Sequence, residues 1–130
     1  IKAMFGKGAT PSPLPPVPPD VQLPALLVIH GTADRVVAPA NGREAAERWA
    51  ERVSAKASQP RTVQRGTRYA ATITDYRKNG RLVATHCEIA QLAHAWSGGA
   101  AGQAFSDAKG PDASRMIWAF VVKQFAWAAD

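Results

Sequence analysis

Two residues stand where acid–base chemistry is commonly organised in α/β proteins. Asp34 follows an apolar run in the stretch "ALLVIHGTADRVV", and His94 lies in the small-residue stretch "QLAHAWSGGAAGQ". Functional groups gather at the carboxyl ends of strands in open α/β sheets, and both residues follow predicted strands. An aspartate that accepts the Nδ1 hydrogen bond of a histidine leaves the other ring nitrogen free to act as a base. The pair therefore predicts the acid and the base of a catalytic triad.

The other two histidines have plainer interpretations. His30 ends the apolar run beside Gly31 and is predicted to be a structural, hydrogen-bonded residue. His86 falls late in a predicted β-hairpin and is predicted to be a partly exposed strand residue. Only His94 lies in a loop from which an imidazole can be presented to a cleft.

A nucleophile for this pair is missing from the recognisable motifs. None of the serines lies in G-x-S-x-G or at a strand-to-helix elbow; they are Ser12, Ser54, Ser58, Ser97, Ser106 and Ser114. Ser97 is near His94 in sequence but lacks the turn that exposes a hydroxyl beside an oxyanion hole, so a self-contained Ser97 triad is not expected. Cys87 is the only cysteine, which excludes a disulfide within the chain and C-x-x-C metal spacings but leaves a thiol nucleophile open.

The charge of the chain does not indicate a nucleic-acid partner. The formal net charge is +6 over 130 residues, from 16 Lys and Arg against 10 Asp and Glu. These basic residues are scattered rather than clustered, whereas phosphate binding requires a basic patch. No apolar run approaches the roughly 20 residues of a membrane span. We therefore expect neither a nucleic acid nor a membrane as a partner.

The chain divides into two predicted segments. Residues 1–23 contain so many prolines that neither a helix nor a central strand can run through them, which predicts an extended linker or the remnant of a cap region. The P-x-x-P match at residues 13–16 also fits a polyproline II ligand. Residues 24–130 form the predicted α/β domain. Its residues 25–29 are a continuous apolar run, typical of a strand buried on both faces of a parallel sheet.

Capping residues predict two helices. Asn41 and Glu44 form a capping box that opens a helix to about residue 57. Asp112 or Ser114 is the predicted N-cap of a last helix that is apolar on most of its circumference. Such a helix is either buried in its own fold or covered by a partner.

A β-hairpin is predicted over residues 69–89. Asn79-Gly80 supplies the two residues with positive φ of a type I′ turn, between two runs of strand-forming residues. The second strand leads into the loop that holds His94. One helix and one hairpin thus fit between the candidate acid and the candidate base.

Three segments resemble the carboxyl-terminal half of the polyhydroxybutyrate depolymerase type of esterase, a branch of the α/β-hydrolase fold with feruloyl and acetylxylan esterases. They are "PALLVIHGTADRVVAPANG", "YRKNGRLVATHCEIAQLAHAWSGG" and "GPDASRMIWAFVVKQF", and they span residues 24–125. The motifs are H-G-T-x-D and H-x-W-x-G-G. The resemblance implies that Asp34 is the triad acid and His94 the base. We expect Trp96 either to bind substrate as a wall of the pocket or to pack beside the His94 loop or in the core.

The resemblance also implies that the chain is the C-terminal portion of an α/β-hydrolase. The nucleophile elbow and the oxyanion loop are then expected upstream of Ile1, and the chain alone is expected to be inactive or nearly so. Expected partners are an ester or polyester substrate, and either the missing N-terminal half or another copy of the chain, because the strand at residues 25–29 would have an open edge. No metal or organic cofactor is implied, and the family habit of secretion implies an extracellular or periplasmic location.

Two other interpretations of the residues stay open. The chain can be a noncatalytic partner-binding module derived from the α/β-hydrolase fold. It can also be part of a serine peptidase of that fold, since peptidases use the same triad geometry.

Overall fold

The computed structural model of the protein describes residues 12–129, with side chains to residue 126, so residues 1–11 of the predicted 1–23 segment lie outside the described residues. The described chain is an α/β fold with two helices and a five-stranded mixed sheet. The elements are β1 (Leu26–Gly31), α1 (Pro39–Glu51), β2 (Lys56–Ala57), β3 (Arg61–Val63), β4 (Ala71–Lys78), β5 (Arg81–Ile89), β6 (Trp96–Ser97), β7 (Ser106–Asp107) and α2 (Ala113–Ala129).

The main sheet has the strand order β1-β5-β4-β2, with β3 also paired to β4. β1 runs parallel to β5, and the other pairs are antiparallel. The predicted parallel strand is confirmed, but residues 26–30 are only half-buried rather than buried on both faces. The reason is topological: β1 has a single neighbour in the described sheet and therefore forms its edge.

The predicted hairpin is confirmed in β4 and β5. Asn79 and Gly80 have φ angles of 50° and 77°, both in the left-handed region that a type I′ turn requires. The pairing register shifts once, between Tyr76 and Arg77.

The first helix begins and ends at different residues from those predicted. Ala38 is its N-cap and makes no side-chain capping bond, so the predicted capping box at Asn41 and Glu44 is wrong. Pro39 occupies the first turn instead, where its fixed φ suits a helix and its missing N–H costs nothing. The helix ends at Glu51 because the chain turns to enter β2.

The helices cover opposite faces of the sheet. Ala46 and Ala50 of α1 pack with Tyr76 and Ala84 in one core cluster. On the other face, α2 packs Met116 against a second cluster, formed by Ala71, Cys87, Ile89 and Leu92. Side chains alternate across a strand, so neighbouring positions of β4 and β5 supply the two cores.

The second helix starts as predicted. The Asp112 Oδ1 atom accepts a 2.9 Å hydrogen bond from the Arg115 amide, which identifies Asp112 as the N-cap. The outer face of α2 is exposed and apolar, with Trp118 69% and Phe125 72% exposed. Within the part of the chain that the structure describes, neither helix has the length and hydropathy that a bilayer-crossing segment needs.

The described part of the proline-rich segment lies against α1. Residues 12–23 form neither helix nor strand. The guanidinium groups of Arg48 and Arg52 donate to the carbonyl oxygens of Ser12 and Pro15, respectively. These bonds hold the segment along the C-terminal half of the helix.

Candidate active site

The turn after β1 places Asp34 beside the loop after β5. The amides of Thr32 and Ala33 donate to the carbonyl oxygens of Ile89 and Leu92, both at 2.9 Å. These backbone bonds tie the turn to the start of the loop that carries His94. Two residues that are 60 positions apart in sequence are therefore brought within hydrogen-bonding distance.

The candidate acid and base contact each other directly. The Nδ1 atom of His94 lies 3.0 Å from the Oδ2 atom of Asp34. Asp34 is only 8% exposed, and its Oδ1 atom accepts bonds from the amides of Val36 and Val37, each at 2.9 Å. The imidazole of His94 is 45% exposed. One edge of the ring thus meets a buried carboxylate while part of the ring faces solvent.

The electrostatics of the carboxylate define the tautomer of the imidazole. Burial alone would raise the pKa of Asp34, but hydrogen bonds from the Val37 amide, His94 and the Val36 amide outweigh it and lower the pKa to about 2. Asp34 is therefore ionised near neutral pH and can only accept hydrogen bonds. The Nδ1 atom of His94 must then carry the proton, which leaves the lone pair of Nε2 available as a base.

A second imidazole reaches the same carboxylate. The Nε2 atom of His30 lies 3.1 Å from Asp34 Oδ2 and 3.1 Å from the carbonyl oxygen of Val37. The prediction that His30 is a hydrogen-bonded residue is confirmed. Its partnership with the candidate acid was not predicted, although the i,i+4 spacing of His30 and Asp34 across a strand end is a signal that could have indicated it.

Trp96 and Phe105 stand beside the exposed imidazole. Trp96, the predicted substrate-binding residue, is 50% exposed, and Phe105 is 74% exposed. The Phe105 ring meets His94 edge-on, with 6.3 Å between the ring centroids and an interplanar angle of 83°. The Trp96 amide donates to the Phe105 carbonyl at 2.7 Å. No motif in the sequence pointed to Phe105.

An open cleft of about 730 Å³ surrounds these side chains. Its lining is mostly apolar and comes from the β1 edge, the His94 loop and α2, including Leu27, Ile29, Ile117, Phe120 and Val121. Asp34 and His94 both line it. An apolar cleft with a few convergent polar groups is the usual form of a small-molecule site.

The serine nearest to the base in sequence does not face it as a nucleophile. Ser97 is 2% exposed, and its hydroxyl donates to the carbonyl oxygen of Pro111 at 2.6 Å. A β-carbon on Gly110 would overlap the Ser97 hydroxyl, so the two residues are closely packed. The Ser97 oxygen is therefore enclosed and engaged in a structural hydrogen bond.

Two further titratable side chains are buried away from this cleft. Cys87 is fully buried, and burial raises the pKa of its thiol to about 11, so it offers no thiolate near neutral pH. His86 is 4% exposed, which makes the prediction of a partly exposed residue wrong; α1 packs over this face of β5. Burial lowers the pKa of His86, and its Nε2 atom has no hydrogen-bond partner among the described residues.

Within residues 12–129, no group of three or more His, Cys, Asp or Glu side chains is arranged to hold a metal ion.

Comparison with protein-family models and with curated proteins finds no match to this chain. What the fold and the site define is an α/β domain that carries a carboxylate–imidazole pair at one end of its sheet.

Proposed function

We propose that Asp34 and His94 are the acid and the base of a carboxylic-ester hydrolase that acts by a Ser-His-Asp mechanism. The observation that carries the proposal is the 3.0 Å bond between His94 Nδ1 and a buried, ionised Asp34, with the imidazole half exposed in an apolar cleft. This arrangement fixes the tautomer that a general base needs. A polyhydroxyalkanoate depolymerase or a related esterase, with an extracellular or periplasmic location, is the class that the H-G-T-x-D and H-x-W-x-G-G motifs favour.

The pair would transfer one proton in each half of the catalytic cycle. His94 Nε2 takes the proton from a serine hydroxyl as its oxygen attacks the ester carbonyl, and it returns that proton to the departing alcohol. In the second half of the cycle His94 Nε2 takes a proton from water as the water oxygen attacks the acyl-enzyme. It gives that proton to the serine oxygen as the acyl–serine bond breaks and the acid leaves. Throughout, Asp34 stabilises the imidazolium and keeps Nδ1 protonated. Trp96 would form a wall for the acyl or alcohol group.

The serine and the oxyanion donors would come from outside this chain. Ser97 is buried and bonded to Pro111, so it is not offered as the nucleophile. The edge of β1 has no neighbour in the described sheet, and the cleft opens beside this strand. An adjoining strand that runs parallel to β1 would end at the same edge of the sheet and would bring its carboxyl end close to His94. The proposed source of the serine is an N-terminal half of the same polypeptide, whereas a second copy of the chain could cover only the open edge of β1.

Ester hydrolysis by the longest polypeptide encoded in frame with this chain tests the proposal. We expect turnover of p-nitrophenyl butyrate, and a decrease in kcat of about 10³- to 10⁴-fold in Asp34→Asn and His94→Gln. Lys78→Gln, at the exposed end of β4, is the matched control and should keep the wild-type rate. Equal rates in all four proteins, or no turnover by the wild type, would refute the proposal.

A noncatalytic partner-binding module is the second candidate function. The exposed apolar face of α2, with Trp118 and Phe125, favours it because exposed apolar patches often mark the binding sites of partners. The two candidates differ in the same assay: a binding module gives no ester turnover, and substitutions of Asp34 then change nothing that is measured there.

A further inference from the structure

The side chain of His30 packs against the carboxylate of Asp34, and both residues line the cleft. Its imidazole is 11% exposed and contacts the acid rather than solvent. We propose that His30 is a positioning residue: it holds Asp34 in the orientation that keeps His94 in its Nδ1–H tautomer. As an account of catalysis this inference rests on the proposed function, but the geometry it describes can be tested without any reaction.

The hydrogen-bond partners of His30 define its own tautomer. Both groups within reach of its Nε2 atom, the Asp34 carboxylate and the Val37 carbonyl, are acceptors only. The Nε2 atom therefore carries a proton and shares it between them. Since Val37 closes the turn that Asp34 opens, one N–H group ties both ends of the turn to the last residues of β1. Loss of this donor removes the side-chain bond that holds the carboxylate of Asp34 and the carbonyl of Val37 to β1.

The carboxylate of Asp34 has no acceptor site left over. Oδ1 accepts two backbone amides, from Val36 and Val37, and Oδ2 accepts two imidazole N–H groups, from His30 and His94. A carboxylate offers about four acceptor positions, so all of them are used. Without His30, Oδ2 would be held only by the exposed His94. The carboxylate of Asp34 would then rotate more freely about its Cβ–Cγ bond. Outer partners of this kind orient a functional side chain without touching the reactants.

A glycine in α1 makes room for this imidazole. A β-carbon on Gly42 would lie 2.5 Å from the Nδ1 atom of His30 and 3.2 Å from its Cγ atom. Any side chain at this position must therefore displace the ring, and with it the Nε2–H group that reaches Asp34. Gly42→Ala thus perturbs the position of His30 without removing any titratable group from the chain.

Imidazole nitrogen spectra of the 130-residue chain test the positioning role directly. Long-range ¹⁵N–¹H correlations distinguish the Nδ1–H and Nε2–H tautomers of each histidine, and we expect His94 to be in the Nδ1–H form. His30→Leu and Gly42→Ala should convert His94 to a mixture of tautomers. His30→Gln, whose amide nitrogen can replace the Nε2 donor, should keep the Nδ1–H form. Glu44→Ala, an exposed change on the same helix, is the control for Gly42→Ala.

Ester hydrolysis by the longest in-frame polypeptide separates this inference from the proposed function. We expect kcat to fall about 10-fold in His30→Leu with little change in KM, and His30→Gln to recover most of that loss. If His30→Leu does not fold, Gly42→Ala carries the test alone. An unchanged His94 tautomer in the folded variants overturns the positioning role. Altered tautomers together with a wild type that hydrolyses no ester leave the positioning role intact and refute the esterase.

Discussion

Gly31 and Leu92 lie so close together that a β-carbon on Gly31 would overlap the carbonyl oxygen of Leu92. The last residue of β1 therefore touches the backbone of the loop after β5. The hydrogen bond from the Ala33 amide to the same carbonyl, at 2.9 Å, fastens this contact. Asp34 follows Gly31 and His94 follows Leu92, so this backbone contact lies directly beside the bond between the acid and the base.

Gly31→Ala should separate the two loops. The added methyl group has to displace backbone atoms rather than a flexible side chain, so we expect a loss of about 1 to 3 kcal/mol in the free energy of unfolding. Urea denaturation followed by circular dichroism measures this loss. The imidazole nitrogen spectrum should also show that His94 is no longer held in the Nδ1–H tautomer. A variant as stable as the wild type, with the His94 signal unchanged, would show that the close contact is not required.

Asp34 should stabilise the protein at neutral pH and cease to do so in acid. Its pKa is lowered from 3.8 to about 2, so the folded chain holds the ionised carboxylate more tightly than the unfolded chain does. This contribution is complete above pH 3.8 and is lost as the pH falls toward 2. We expect Asp34→Asn to be less stable than the wild type by about 2 kcal/mol at pH 7, with the difference shrinking in acid. A difference that does not depend on pH would contradict this account.

His86 should make the fold sensitive to mild acid. Burial lowers the pKa of His86 below the ordinary 6.5, so the unfolded chain takes up a proton that the folded chain resists. Its contribution to stability is therefore present above pH 6.5 and decreases as the pH falls from there toward the lowered pKa. The free energy of unfolding, measured by urea titration at several pH values, should fall across this range. His86→Gln should show a smaller fall, and an identical pH profile would contradict the expectation.

Several features could be predicted because a few neighbouring residues determine them. Asn79-Gly80 specifies its turn through backbone conformation alone, and Asp112 caps α2 within four residues. The closeness of Asp34 and His94 follows from the topology, since both come after strands that end at the same edge of the sheet.

Other features depend on contacts that no local pattern contains. The predicted start of α1 is wrong because Pro39 and a capping box at Asn41 are both valid local signals for a helix start. Only the direction from which the chain enters the helix decides that it starts at Pro39. The burial of His86 results from α1 lying over β5. The bond from His30 to Asp34 needs the space that Gly42 leaves in a later helix.

Cys87 should be unreactive in the folded protein. It is fully buried and its pKa is raised to about 11, so at pH 8 only about one Cys87 side chain in a thousand is a thiolate. The sulfur is also closed off from solvent. Ellman's reagent should release no colour from the native chain within the time in which it reacts fully with the denatured chain. Stoichiometric reaction under native conditions would contradict the buried position of this thiol.

The source of the serine is the central claim, and fluorophosphonate labelling of the longest in-frame polypeptide tests it most directly. Such a reagent forms a covalent adduct only with an activated serine, and peptide mapping locates that serine. We predict one adduct per polypeptide, on a serine outside residues 1–130, formed much more slowly in His94→Gln, and no adduct on the 130-residue chain alone. An adduct on Ser97 or on any other serine of this chain would contradict the account, and so would a polypeptide that forms none.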